Sequence, residues 1–265
     1  MIKEPIITLL TDFGEEDPYV GSMKGVILSI SPKARLVDLS HQIKRHDIRQ
    51  GAFFLFSLVK YYPKGTIHLV VIDPGVGTER KAIIVQSENH FFVGPDNGVI
   101  SLAAQNDGVR KVIEIENSDY YLQPVSETFH GRDIFAPVAA HLAKNKRIEE
   151  FGSVLEDWIQ LRIPLATINK AEIKGEIIHI DRFGNLITNI SREIFQKVHD
   201  LQRSFIEIKI NNRELQVPLC SSYNEVKKGD FLGIFGSTDF LEISKNQESA
   251  ADALNSQNQD KILVK

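Results

Sequence analysis

The hydrophobic rhythm of this chain changes within the stretch LRIPLATINKAEIKG, residues 161–175, and that change restricts the fold more than any one motif does. Ahead of it, short apolar runs alternate with segments of helical period. Residues 6–10 read as a buried strand, and Val20, Met23, Ile27 and Ile30 then recur at steps of three and four, forming the stripe of a helix packed on a sheet. Asp17-Pro18 supplies an N-cap and a proline at the first helical position, and Ser31-Pro32 ends the helix. Residues 35–39 read as a strand, Asp47 caps a second helix running to Tyr61, and residues 66–72 are apolar enough to be buried on both faces. Strands at 81–86 and 91–93 flank a Ser-Glu-Asn-His turn, followed by a short helix at 98–105 and a strand at 112–115. Asp133 then starts a helix with Phe135, Val138, Ala139 and Leu142 on one side. Such alternation predicts a layered α/β domain.

Beyond the change only short strands separated by turn residues remain: GEIIHID, NLITNI, SFIEIKI, RELQVPL, DFLGIF, DFLEIS and KILVK. This is the pattern of a small barrel or sandwich. Asn211-Asn212 between two alternating runs marks a hairpin, and SREIFQKV and SAADAL read as single short helices among the strands. The expected domains are an α/β domain over residues 1–164 and a smaller β domain over residues 172–265.

A chain of 265 residues has room for two cores, and its 42% hydrophobic and 25% charged composition is that of an ordinary globular protein. A net charge of -4 without a basic run leaves no electrostatic footprint for a nucleic-acid backbone. The opening MIKEPIITLLTDFGEED fits neither a signal peptide nor a spanning helix, so a cytoplasmic protein with no membrane partner is expected. The single cysteine, Cys220, excludes an intrachain disulfide and a multi-thiolate metal site, and reads as a small buried side chain.

The segment VVIDPGVGTERKAI, residues 70–83, sets Asp73 and Arg80 at the two ends of one glycine-rich loop. It is not a dinucleotide fingerprint, because Arg80 stands where the third glycine belongs and a strand follows where a helix is required. No phosphate-cradling Gly-x4-Gly-Lys-Ser/Thr pattern occurs either. Singly, Asp73 reads as an Asp-Pro-Gly turn residue and Arg80 as a surface arginine. ETFHGRDIFAP, however, sets His130 at a helix entry, and helix entries of α/β folds crowd the end of the sheet where ligands bind. An aspartate, an arginine and a histidine brought together there can hold a water molecule, with the guanidinium fixing an oxygen anion. Asp12 in LTDFG is either a turn acid or a carboxylate for the vicinal hydroxyls of a ribose. In DRFGNLITNI, Asp181, Phe183 and Asn185 surround a tight turn. They form either a hairpin with a packed aromatic, or a carboxylate for an ammonium, a ring for a base and an amide for a purine edge.

Taken in order, LTDFG, IDPGVGTER, PDNG, TFHGRD, DRFGNLITNI and GST-x-FLEI resemble the S-adenosyl-L-methionine hydroxide adenosyltransferase family, relatives of the fluorinating and chlorinating enzymes. The resemblance spans nearly the whole chain. It implies an α/β fold class, a layered α/β N-terminal domain with a smaller C-terminal β-barrel domain, and a homotrimer. The substrate would lie between one subunit's first domain and a neighbour's second. It implies Asp12 on the ribose hydroxyls, Asp73, Arg80 and His130 as the water-activating set, and Phe129 among the substrate contacts. Asp181 and Ser237 would meet the amino acid group, and Phe183, Asn185 and Tyr223 would surround adenine with Glu242 nearby. The expected reaction is attack of water or hydroxide on ribose C5′, giving adenosine and L-methionine with no cofactor and no metal; in one assignment, open to permutation within the set, His130 accepts or shares the proton, Arg80 orients the oxygen and Asp73 fixes both.

Two departures from the family pattern fall in the last motif. Ser237 is followed by Thr238, Asp239 and Phe240 where the family often reads Ser-x-Gly, and Lys245-Asn246-Gln247 is poorer in glycine. The turn before PDNG is short, whereas fluorinating relatives carry a long insertion there and lack the Asp-Arg-His set, which favours water over halide. Halide addition to form 5′-chloroadenosine, a non-catalytic adenosine or S-adenosyl-L-methionine sensor, and methyl transfer are the alternatives, separated by their products.

Overall fold

The computed structural model describes residues 4–265; Met1, Ile2 and Lys3, part of the N-terminal reading above, lie outside it. The chain divides into two compact units, the second being Arg162–Lys265. Among the described residues no helix is long and apolar enough to cross a membrane.

The first unit is built on β1 (Ile6–Thr11), β2 (Arg35–Ser40), β3 (Ile67–Val71), β4 (Ala82–Ser87), β5 (Phe91–Pro95) and β6 (Val109–Glu114), in the sheet order β2-β1-β3-β5-β4-β6. β2, β1, β3 and β5 are parallel, and β4 runs antiparallel to both β5 and β6. Four helices cover the sheet: α1 (Tyr19–Ile30), α2 (Ile48–Val59), α3 (Ser101–Asn106) and α4 (Ala136–Ala143). Successive strand residues point to opposite faces, so Leu9 joins Met23 and Ile27 of α1 and Val138 of α4 in one core. Leu10 joins Leu55 of α2 and Ala103 of α3 in the other. Every residue of β3 is buried, as a strand covered on both faces requires.

Asp47 accepts from the Gln50 N–H at 2.9 Å and caps α2, which ends at Val59, short of Tyr61. The start of α1 differs from expectation. Pro18 occupies the cap, its carbonyl accepting from the Ser22 N–H at 2.9 Å, and Asp17 makes no capping bond. Asp133 does not cap α4 either. It lies inside a π-helical turn, Gly131–Phe135, that precedes α4, and its carboxylate instead accepts from the Ser126 N–H at 2.9 Å.

The second unit is a barrel rather than a sandwich. Its strands are β7 (Thr167–Asn169), β8 (Glu172–Ile180), β9 (Leu186–Ser191), β10 (Phe205–Ile210), β11 (Arg213–Cys220), β12 (Phe231–Phe235), β13 (Phe240–Lys245) and β14 (Lys261–Val264). Around the ring the order is β14-β10-β11-β12-β13-β9-β8; β14 pairs with both β10 and β8, which closes the ring and removes its edges, and β7 adds outside β8. Ile177, Leu186, Ile208, Val217, Ile243 and Val264 belong to its core. Asn211 and Asn212, with φ of 48 and 62°, form the left-handed two-residue turn between β10 and β11. Two short helices, α5 (Arg192–Gln196) and α6 (Ala250–Leu254), are capped by Ser191 and Ser249. Cys220, expected to be buried, is half-buried because it stands at the last position of β11, where pairing with β12 is just beginning.

Candidate functional site

In the first unit β1 leads through α1 to β2 on one side, while β3 pairs on the other, so the chain diverges between the carboxyl ends of β1 and β3. Such divergence opens a ligand-binding crevice in α/β sheets. Asp12 directly follows β1, and Asp73 follows β3 after one intervening residue. The loop beyond Asp73 tightens through bonds from the Val76 N–H to the Asp73 carbonyl and from the Thr78 N–H to the Gly75 carbonyl. Gly77 has φ of 76°, and a Cβ there would lie 2.4 Å from the Glu127 carbonyl oxygen. Only glycine lets this loop close on the segment that carries His130.

Arg80 folds back across the loop. Its Nε lies 3.0 Å from each Asp73 oxygen, its Nη2 2.5 Å from Oδ2, and the same Nη2 2.7 Å from His130 Nδ1. The Arg80 and Asp73 side chains are only 11% and 5% exposed, and the guanidinium sits 5.1 Å from the Phe135 ring centroid. Asp73, Arg80 and His130 are therefore brought together.

This contact fixes the imidazole tautomer. A guanidinium has donors and no acceptor, so Nδ1 of His130 must offer its lone pair and Nε2 must carry the proton. Burial, and then the neighbouring guanidinium, hold the imidazole below its usual pKa, with Asp73 pulling weakly the other way. His130 is a neutral group whose Nε2–H is a donor.

Two supports were not legible in the motifs. Asp133, fully buried, also accepts from Arg132 Nε at 2.6 Å and thereby pins the TFHGRD segment. The His46 N–H donates to Asp12 Oδ2 at 2.8 Å from a residue with φ of 64°. A backbone donor leaves no residue-type signal, and Asp133 read as a cap. Phe129 packs edge-on against Phe13 and Tyr19, with centroids 5.9 and 5.3 Å away, linking the loop after Asp12 to the loop before His130.

In the second unit Asp181, Phe183, Asn185, Tyr223, Ser237 and Glu242 line one cavity of about 1050 Å³. Asp181 Oδ1 accepts from the backbone N–H groups of Phe183 and Asn185, both at 2.9 Å, and Oδ2 accepts from Asn185 Nδ2 at 2.8 Å. Its carboxylate thus organises the turn that presents its neighbours. The hairpin is present, β8 pairing antiparallel with β9 across this turn, but its aromatic does not pack: Phe183 is 76% exposed, carried outward by the glycine turn. Glu242 is buried, with the Tyr223 hydroxyl 3.4 Å from Oε2, and burial followed by the charge of Asp181 pushes its carboxyl up to about 7. Ile187, Ile234 and Phe235 add an apolar wall that the sequence reading missed, since strand alternation alone does not separate a cavity wall from a core. Among the described residues no group of His, Cys, Asp or Glu side chains has the makings of a metal site.

Residues 7–152 match the SAM hydroxide adenosyltransferase N-terminal domain, and residues 175–263 match the corresponding C-terminal domain. The (R)-S-adenosyl-L-methionine hydrolase of Methanocaldococcus jannaschii is 39% identical, over 98% of this chain and 95% of its own length. That of Thermus thermophilus is 37% identical over 94% of each. A fluorinase of an Actinoplanes species is more distant, at 24% identity over 91% of each chain. A conserved protein from Thermotoga maritima, known from its crystal structure, matches with a TM-score of 0.93 at 35% identity, covering 97% of this chain and 99% of that one. With both domains matched in order and relatives aligned from end to end, the chain belongs to the SAM hydroxide adenosyltransferase family.

Proposed function

We propose that the protein hydrolyses S-adenosyl-L-methionine to adenosine and L-methionine by attack of a water-derived oxygen on ribose C5′. The observation that carries this reading is Arg80 locked between Asp73 and Nδ1 of His130. The C–O bond forms as the C–S bond breaks, and its electron pair neutralises the sulfonium, so methionine leaves as an uncharged thioether. No acid at sulfur, metal or further cofactor is called for. The need is an oxygen nucleophile held about 3 Å behind the carbon, with its charge stabilised.

Arg80 supplies fixed positive charge, and His130 offers Nε2–H. In this tautomer the imidazole has no lone pair to spare, which supports His130 as the donor that orients the oxygen, one of the permutations of roles that the sequence left open. Asp73, engaged by the guanidinium, fixes Arg80 rather than taking a proton. The set favours hydroxide formed by loss of a proton to solvent.

Asp12 and Phe129 serve the ribose side. Asp181 and Ser237 meet the amino acid group, while Phe183, Asn185, Tyr223 and Glu242 surround adenine; the shared cavity of the barrel residues supports this part. The assembly is a homotrimer whose substrate lies between one subunit's first domain and a neighbour's second, as the family resemblance implies. The location is the cytoplasm, with neither nucleic acid nor membrane as partner. Halide addition is disfavoured by the Asp-Arg-His set and by the lower identity to fluorinase. Asp73→Asn, Arg80→Ala and His130→Ala, made singly, should each slow adenosine release; unchanged rates in all three would remove the assignment.

A further inference from the structure

The loop from Asp73 to Arg80 is held at both ends by a motif that the proposed function leaves without a task, PDNG at residues 95–98. The last pairs of β3 are Val71 with Thr11 of β1 and Leu69 with Val93 of β5, and beyond them Ile72 is still wholly buried. Its carbonyl, the group directly before Asp73, accepts from Asn97 Nδ2 at 2.8 Å. The carbonyl of Lys81, directly after Arg80, accepts from the Asp96 N–H at 2.9 Å. Two neighbouring residues thus grip the two carbonyls that bracket the loop.

The backbone of this segment has no donor left for Ile72. Pro95 lacks an N–H, that of Asp96 goes to Lys81, and that of Asn97 turns back to the Pro95 carbonyl at 3.0 Å. A buried carbonyl without a donor is costly, so a side chain must supply one. The two ends of the Asn97 amide divide the work. Oδ1 accepts from the Val99 N–H at 3.2 Å, a local turn that an aspartate would close equally well. Nδ2 reaches a residue 25 positions away and has to donate, which a carboxylate cannot do.

The clamp is itself anchored. Asp96 Oδ1 accepts from the Ile159 N–H at 2.8 Å, and Ser101 Oγ accepts from the Leu161 N–H at 2.9 Å. Gly98, with φ of 94°, lets the turn lie against Leu161, whose Cβ would be 3.1 Å from a Cβ at position 98. At the other end of the chain of contacts, Arg80 meets both Asp73 oxygens and His130 Nδ1 at 3.0 Å or less. A fork that short tolerates little movement of the carboxylate.

We propose that Asn97 is a positioning residue: by donating to the Ile72 carbonyl it fixes the peptide that carries Asp73, and through Asp73 the approach of Arg80 to His130. It acts through these side chains and not on the substrate. The inference rests on the hydrolase reading for its kinetics alone.

Asn97→Asp is the test, since it keeps the shape and the acceptor for Val99 and removes the donor; Asn97→Ala removes both. In the wild type the Arg80 contact requires Nδ1 of His130 to be unprotonated and Nε2 to carry the proton. Nitrogen NMR of histidine-labelled protein reads that single tautomer directly, the signals being assigned by their absence in His130→Gln. Mildly alkaline buffer keeps the imidazole, already held below its usual pKa, neutral. Asn97→Asp should move the signature toward a mixture of tautomers and lower kcat by roughly tenfold to 10²-fold, the upper end being the cost of a misplacement of about 1 Å. KM should stay close to the wild type's, because the groups assigned to the substrate are untouched. Asn97→Ala should behave alike and also melt at a lower temperature, and if it does not fold, Asn97→Asp decides. An unmoved His130 signature in Asn97→Asp would overturn the proposal, whether kcat is kept or falls together with the melting temperature, as a role in stability alone requires. A moved signature with unchanged kcat would overturn it as well. The NMR measurement needs no turnover, so a wild-type protein that releases no adenosine would sink the hydrolase reading and leave the signature to judge Asn97.

Discussion

Arg80 and Glu242 are both ionisable groups largely withdrawn from water, but their surroundings treat charge in opposite ways. Arg80 has a carboxylate on one side and an imidazole lone pair on the other, so its charge is kept and aimed. Glu242 has a tyrosine hydroxyl, a bare glycine backbone and a second acid nearby, so burial works to remove its charge. The difference matches what each region is asked to hold. One can stabilise an oxygen that carries negative charge, and the other sets a buried acid into a cavity wall beside apolar side chains.

The sharpest way to break this contrast is Arg80→Lys. An ammonium keeps the charge but loses the planar fork that reaches Asp73 and His130 at once. Turnover should fall by roughly 10²–10³, the scale seen when one preorganised donor to a developing oxyanion is lost. Near-normal kcat in single-turnover assays would mean that charge alone suffices.

A smaller effect is expected from Phe183→Ala. The ring is mostly exposed, so the melting temperature should hold. The lost base stacking should weaken substrate binding by on the order of 1–3 kcal/mol, read as a higher KM at unchanged kcat. A falling melting temperature would show that the ring packs instead.

The smallest effect concerns stability. A carboxyl whose folded pKa lies above its ordinary value favours the fold at pH below that ordinary value, and this contribution is lost as pH rises through the folded value, here about 7. Melting of the wild type should therefore worsen modestly between mildly acidic and mildly alkaline buffer, and Glu242→Gln should remove that part of the slope. Parallel slopes for the two proteins would place the ionised carboxylate in the native state.

Much of the fold was open to sequence reasoning because apolar period follows local geometry: the strands of the first unit, the Asp47 cap and the Asn211-Asn212 turn all announce themselves. Barrel closure was not, since β14 pairs with β8 across most of the second unit and no local pattern encodes that choice. The π-helical turn at Gly131–Phe135 misled the cap reading, because an aspartate near a helix entry looks the same whether it bonds forward into the helix or back to Ser126. The motifs brought Asp73, Arg80 and His130 to one place. They were silent on which imidazole nitrogen carries the proton, which only the approach of Arg80 decides. Glu242 likewise looked like any acid until the barrel was seen to bury it in the cavity wall.

The central claim is that the oxygen joined to C5′ comes from solvent. Mass spectrometry of the products formed from S-adenosyl-L-methionine in isotopically labelled water tests it directly. The account predicts adenosine bearing one solvent-derived oxygen together with unlabelled L-methionine. Unlabelled adenosine, 5′-chloroadenosine in the presence of chloride, or S-adenosylhomocysteine as the main product would contradict it.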